Sequence, residues 1–186
     1  MAVDKDNLDE NRIIYFNGDF TEEKSKEIIT KLIEFDTKDP TKDILMIIDS
    51  YGGYVHSFLA IHDVIKCVIN CDVATLAIGK TMSCGQMLLM SGTKGKRFVT
   101  PNTSVLVHEI SGGTWGSLRD QENDLAETQR LMDVLNKLFI RYTNMKITSL
   151  KELMKKDSYM TAKTAVELSI ADHIVNKPND IWGKIK

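Results

Sequence analysis

Cysteine, net charge and long apolar runs are the three things this sequence has least of, and each shortage excludes a class. The three cysteines are an odd number with no framework spacing, which points to reduced thiols rather than disulfide staples. Cys67 and Cys71 stand four apart, but no CxxC or HExxH motif accompanies them and the four histidines are scattered. No metal is therefore expected, and the cysteines are read as small buried residues. The formal net charge is only −2, with Lys and Arg interspersed among acids, so no basic stripe for nucleic acid is present. No apolar run approaches the roughly 20 residues of a membrane span. The opening MAVDKDNLDEN is polar, without the apolar core of a signal peptide, and the reading is a cytoplasmic protein with no membrane contact.

What is present is an ordinary globular composition, 42% apolar and 27% charged over 186 residues, enough for one domain with a core of its own. Residues 1–11 read as a polar arm. A strand at 12–16 is followed by a helix that Thr21 can cap, with Ile28, Ile29, Leu32 and Ile33 at helical spacing. The run 44–48 is apolar on both faces, the mark of a central strand covered on each side. A helix from about Val55 to Ile69, a strand at 73–78 and an apolar helix after Ser83 complete an alternation that implies a largely parallel α/β layer. Short β segments follow at 97–99 and 104–107. The longest helical pattern runs from about Leu118 to Met145. In it Leu118, Leu125, Met132 and Phe139 recur every seven residues. Such a stripe suits burial against another subunit, or else a helix lying across its own sheet. Further short helices near 150–156 and 163–168 and a last strand at 174–175 are expected.

The chemistry centres on GKTMSCG, residues 79–85. A serine between a buried strand and an apolar helix stands beside the free N–H groups of a helix N-terminus, which stabilise developing negative charge. Ser83 there is either a nucleophile or a plain helix cap. A nucleophilic serine needs a base and an acid to hold that base. His56 and His62 lie within a helix and His173 near the C-terminus, whereas His108 closes a strand just before the glycine-rich SGGTWG, where α/β sites collect. Gly52-Gly53 after the central strand either lets backbone amides approach a ligand or makes a tight turn. The α/β-hydrolase elbow is only half present, since Thr81 stands where its first glycine belongs.

SYGG at 50–53, AIGKTMSCGQMLLMSGTKGKRF at 77–98, PNTSVLVHE at 101–109, GGTWG at 112–116 and KDSYMTAKTAVELSIAD at 156–172 together resemble the proteolytic subunit of the Clp protease, from about Arg12 to Val175. The resemblance implies an α/β, crotonase-like fold of layered sheets flanked by helices, with a protruding handle at about 111–145. It implies a serine endopeptidase with Ser83 as nucleophile, His108 as base and Asp157 as orienting acid, and with the amides of Gly52 and Cys84 as oxyanion hole. Peptide substrate would pair along Ile110, Ser111, Gly112 and Gly113, with Gly53, Tyr54 and Val55 on its other side. No cofactor is implied. The partners implied are unfolded protein, further copies in stacked heptameric rings, and a separate ATP-driven unfoldase.

The chain departs from that pattern at Tyr51, Glu109 and Ser169. Barely a dozen residues precede the first strand, and Leu45 and Ile47 replace tyrosines of the unfoldase docking groove. Partnership with an unfoldase is therefore doubtful, as for a phage-encoded or divergent bacterial member. Two rival readings share the fold: a non-proteolytic structural subunit, and an acyl-CoA hydratase or isomerase, which needs no serine, histidine and acid set.

Overall fold

The computed structural model describes residues 10–185, so most of the arm expected at 1–11 lies outside the described residues. Strand β1 (Ile13–Asn17), helix α1 (Glu22–Lys38), strand β2 (Ile44–Ser50), helix α2 (Val55–Asp63), strand β3 (Val73–Met82) and helix α3 (Cys84–Met90) alternate as the periodicity predicts. Strands β4 (Arg97–Val99) and β5 (Ser104–Val107), helices α4 (Leu118–Tyr142) and α5 (Ile147–Met154), strand β6 (Ser158–Met160), helix α6 (Ala162–Glu167), strand β7 (His173–Ile174) and helix α7 (Asn179–Trp182) follow.

The sheet runs β1-β2-β3-β4-β7, with every pair parallel. β3 is ten residues long and serves two neighbours along one edge. Its first half, Thr75–Ala77, pairs with β4, and its last three residues, Lys80–Met82, pair with β5. β5 in turn carries β6 antiparallel. The sheet thus forks at the end of β3, and the fork is where the candidate site forms.

Helices α1 to α3 pack on one face of the sheet around Phe16, Phe20, Phe58 and Met46, joined by Leu135 and Phe139 from the root of α4. A smaller cluster on Leu45, Ala74, Leu76 and Phe98 is closed by Ile181 of α7, with Ile47 and Val175 packed beside it. Residue for residue, fully burying such side chains stabilises by about 1.5–3 kcal/mol.

Four details differ from the sequence expectation. The second helix is not continuous to Ile69. After Asp63 it widens into a π turn, Val64–Val68, in which the Ile69 amide bonds the Val64 carbonyl at 3.2 Å. One consequence is that Cys67 faces solvent, while Cys71 and Cys84 are buried and all three are free thiols. α4 stops at Tyr142 because Thr143 leaves the helical region (φ −118°, ψ 175°). β6 and α7 had no periodic signal, since three or four residues are too few to show one. Finally, the heptad stripe is split: Phe139 is buried, whereas Leu118 and Leu125 remain 74% and 67% exposed. Among the described residues, no helix is long and apolar enough to cross a membrane.

Candidate active site

Three strand registers bring the candidate residues together. Between β2 and β3 the pairing slips, from Ile48 opposite Ala77 to Ser50 opposite Thr81. Continued two residues, the slipped register sets Gly52 beside Ser83. The approach is close enough that a Cβ on Gly52, where φ is +117°, would come within 2.7 Å of Ser83 Cβ. Between β3 and β5, Met82 pairs with Leu106 and the Ser83 amide bonds the Leu106 carbonyl at 3.0 Å. That contact ends the ladder next to His108. Between β5 and β6, Val107 pairs with Ser158. One step further, His108 and Asp157 stand opposite each other, with His108 Nδ1 3.7 Å from Asp157 Oδ1.

Ser83 itself is held in a conformation that non-glycine residues avoid, φ 54° and ψ −122°. Such strain, of order 1–3 kcal/mol, persists only where the surroundings enforce it and is concentrated at functional sites. Although Ser83 occupies the N-cap position of α3, its side chain makes no capping hydrogen bond. The hydroxyl is left to the cleft. The first amides of α3, beginning with Cys84, have no intrahelical acceptor and point the same way. Cys84, the neighbouring thiol, is buried, and burial pushes its pKa up to about 11. It therefore stays protonated and is a poor nucleophile.

Gly52 is a correction to the oxyanion expectation. Its amide donates to Ser50 Oγ at 3.0 Å, so that N–H is already engaged. The role of Gly52 is the close approach of its α-carbon to Ser83. Its neighbour Gly53 bridges to Phe20, with the Phe20 amide bonding the Gly52 carbonyl at 2.8 Å and the Tyr54 amide bonding the Phe20 carbonyl at 2.9 Å. In a parallel bridge the middle residue turns its own amide away from the partner. The Gly53 N–H is thus the unpaired donor next to Cys84. A chain read only as Gly-Gly gives no signal for which of the two faces the cleft.

The cleft measures about 490 Å³ and takes in Ser83, Cys84 and His108 together with Gly53, Tyr54, Val55, Ile110 and Ser111 of the expected substrate-binding set. Gly112 and Gly113 lie outside it and are exposed. The segment 108–116 forms no strand among the described residues, because an extended segment without a ladder partner has nothing to pair its amides with. Phe20, Gln86, Met87, Leu135 and Met154 also line the cleft. These come from three helices and the loop after β1, and were not read from sequence. Asp157 is a lining neighbour of His108 rather than of the cleft itself, and its side chain is 63% exposed.

The other titratable candidates are committed elsewhere. Asp172 grips the buried Arg97 through two bonds, 2.6 and 2.9 Å. Burial pushes its carboxyl upward, but the bonds from Arg97 outweigh this and hold it below the usual carboxylate range. His62 is buried between Asp63 and the Tyr142 hydroxyl, each at 2.9 Å. His56 and His173 lie outside the cleft. Among the described residues no group of three or more His, Cys, Asp or Glu side chains converges to hold a metal ion.

A sequence model of the Clp protease family matches residues 2–178. The chain belongs to that family. The chain is accordingly a peptidase of the Clp type, with the mixed α/β fold of a sheet flanked by helices.

Proposed function

We propose that the protein is a serine endopeptidase that cleaves unfolded polypeptide, with Ser83, His108 and Asp157 as its triad. The observation that carries this reading is the strained Ser83, free of any capping role, within a cleft that also takes in His108. In the proposed reaction the Ser83 hydroxyl attacks the scissile carbonyl carbon and passes its proton to His108 Nε2. The carbonyl oxygen takes up the negative charge and is held by the Gly53 and Cys84 amides. His108 then returns the proton to the departing amine as the C–N bond breaks, leaving an acyl ester on Ser83. Water, deprotonated by the same imidazole, releases the acid product. Asp157 keeps the proton on Nδ1 of His108 throughout. The 3.7 Å separation is longer than a catalytic hydrogen bond, as is common before substrate is bound. No cofactor takes part in this chemistry.

Substrate would lie extended between Gly53–Val55 and Ile110–Ser111, pairing through its backbone so that many sequences are accepted. The reading includes stacked rings of seven subunits joined through α4, whose outer apolar side chains have no cover within the subunit. Stimulation by an unfoldase is expected to be weak. Leu45 is only 3% exposed, and it and Ile47 pack in the cluster closed by Ile181 of α7, so Leu45 is covered within the subunit rather than open to a docking partner. Labelling with a fluorophosphonate, followed by mapping of the modified residue, tests the assignment. Modification of Ser83 that is lost in His108→Ala supports it, and absence of labelling in the assembled protein refutes it.

A further inference from the structure

The cleft that holds Ser83 is lined in part by the apolar side chains of Met87 of α3, Leu135 of α4 and Met154 of α5. Polar side chains such as Asp19, His108 and Glu109 line it too, but none of these is buried as Gln86 is. Gln86 lies on α3 three residues after Ser83, on the same side of the helix, and it lines the cleft while being only 2% exposed. Its Oε1 has no hydrogen-bond partner. A buried amide oxygen without a donor is costly, worth roughly a tenfold or larger factor in an equilibrium once satisfied, and native interiors leave few such groups. Here there is a source for the missing donor, because the residue that carries this oxygen lines the cleft a ligand would enter.

Resting on the serine-peptidase reading, we infer that Gln86 selects the residue whose carbonyl is attacked, favouring a neutral side chain with an apolar stem and a hydrogen-bond donor at its tip. The carbonyl carbon bonded by Ser83 is attached directly to the α-carbon of that residue. Its side chain must therefore enter the cleft around Ser83, which Met87, Leu135, Met154 and Gln86 also line. The apolar walls accept a methylene stem. The carboxamide accepts the tip. The terminal torsion of glutamine is broad and soft, and nothing bonds Oε1 in its present position, so a small rotation turns it toward an arriving N–H. The carboxylates of Asp19 and Glu109 also line the cleft but belong to exposed residues; a cationic tip drawn down to the buried carboxamide would lose its hydration against a neutral acceptor, which disfavours lysine and arginine there. Glutamine at the cleaved position combines the stem and the donor. Methionine has nearly the same length and shape without the donor, which makes the pair a direct measure of the bond.

The experiment compares two otherwise identical fluorogenic peptides, one with glutamine and one with methionine before the scissile bond, on the assembled wild-type protein, Gln86→Met and Gln86→Leu. The quantity read is the ratio of kcat/KM for the two peptides. That ratio is independent of how much of each preparation is active, so partial misfolding of a variant does not disturb it. Wild type should favour the glutamine peptide by roughly tenfold, and both variants should lose or invert the preference. An equal ratio in wild type and in both variants overturns the inference while leaving the peptidase reading intact. If neither peptide is cleaved and Ser83 resists fluorophosphonate, the peptidase reading fails and the inference falls with it.

Discussion

The two helices that meet at the cleft are built on opposite terms. α3 is seven residues long, carries no side-chain cap, and every one of its residues is buried. Its stability is wholly tertiary. α4 is 25 residues long and buries only Leu131, Leu135, Asn136 and Phe139, all in its second half. Its outer half is sustained by local devices: a capping box between Ser117 and Asp120, and the Glu127–Arg130 pair at 2.7 Å. Those devices let a helix persist without a core beneath it. Trp115, Leu118 and Leu125 are then presented outward at 93%, 74% and 67% exposure. The helix that follows Ser83 is thus held rigid by the core of the chain, whereas α4 is stable as a helix yet leaves apolar side chains uncovered.

The largest expected effect lies at the α3 end. Ser83→Ala should lower kcat on a small peptide by at least about 10⁴-fold, with sedimentation of the assembly unchanged; near wild-type turnover would end the nucleophile assignment. Asp157→Asn should cost about 10⁴-fold through the wrong histidine tautomer, with little change in melting temperature. Asp172→Asn should do the reverse: it strands the buried Arg97, costing roughly 3–5 kcal/mol of stability, and activity per folded subunit should survive. An inactive, stable Asp172→Asn would show that the wrong acid had been chosen.

The contrast between the helices is sharpened by one pair of truncations. Leu88 is fully buried on α3, and Leu88→Ala should destabilise each subunit by roughly 2–5 kcal/mol. Leu125→Ala should change subunit stability by less than about 0.5 kcal/mol yet shift sedimentation toward smaller species. Chemical denaturation and velocity sedimentation of the two variants decide it, and equal unfolding costs at both positions would erase the distinction. The smallest effect concerns pH. Burial holds His62 below its ordinary value of 6.5, against the opposing pull of Asp63. The unfolded chain therefore takes up the proton first, so this contribution is fully present above about pH 6.5 and is lost as pH falls through the depressed folded value. Melting temperatures taken downward from about pH 7.5 should fall more steeply in wild type than in His62→Gln; identical slopes would remove His62 as the cause.

By itself the amino-acid sequence determined the alternation of strands and helices, because apolar periodicity in β2 and α1 is a local property of consecutive residues. It also singled out Ser83 and His108, each marked by its position at the end of a strand. Asp157 was reached only through a resemblance, since a three-residue strand such as β6 shows no pattern of its own. Only the tertiary structure decided what joins these residues. The slip between β2 and β3 puts Gly52 against Ser83 and leaves Gly53 as the free amide, and the antiparallel register of β5 and β6 sets Asp157 opposite His108. Gln86 was legible as one more residue of a packed helix, and its unsatisfied oxygen is visible only in the folded chain. Hydrogen-bond satisfaction is a property of which chains lie opposite one another, and residues far apart in sequence supply it.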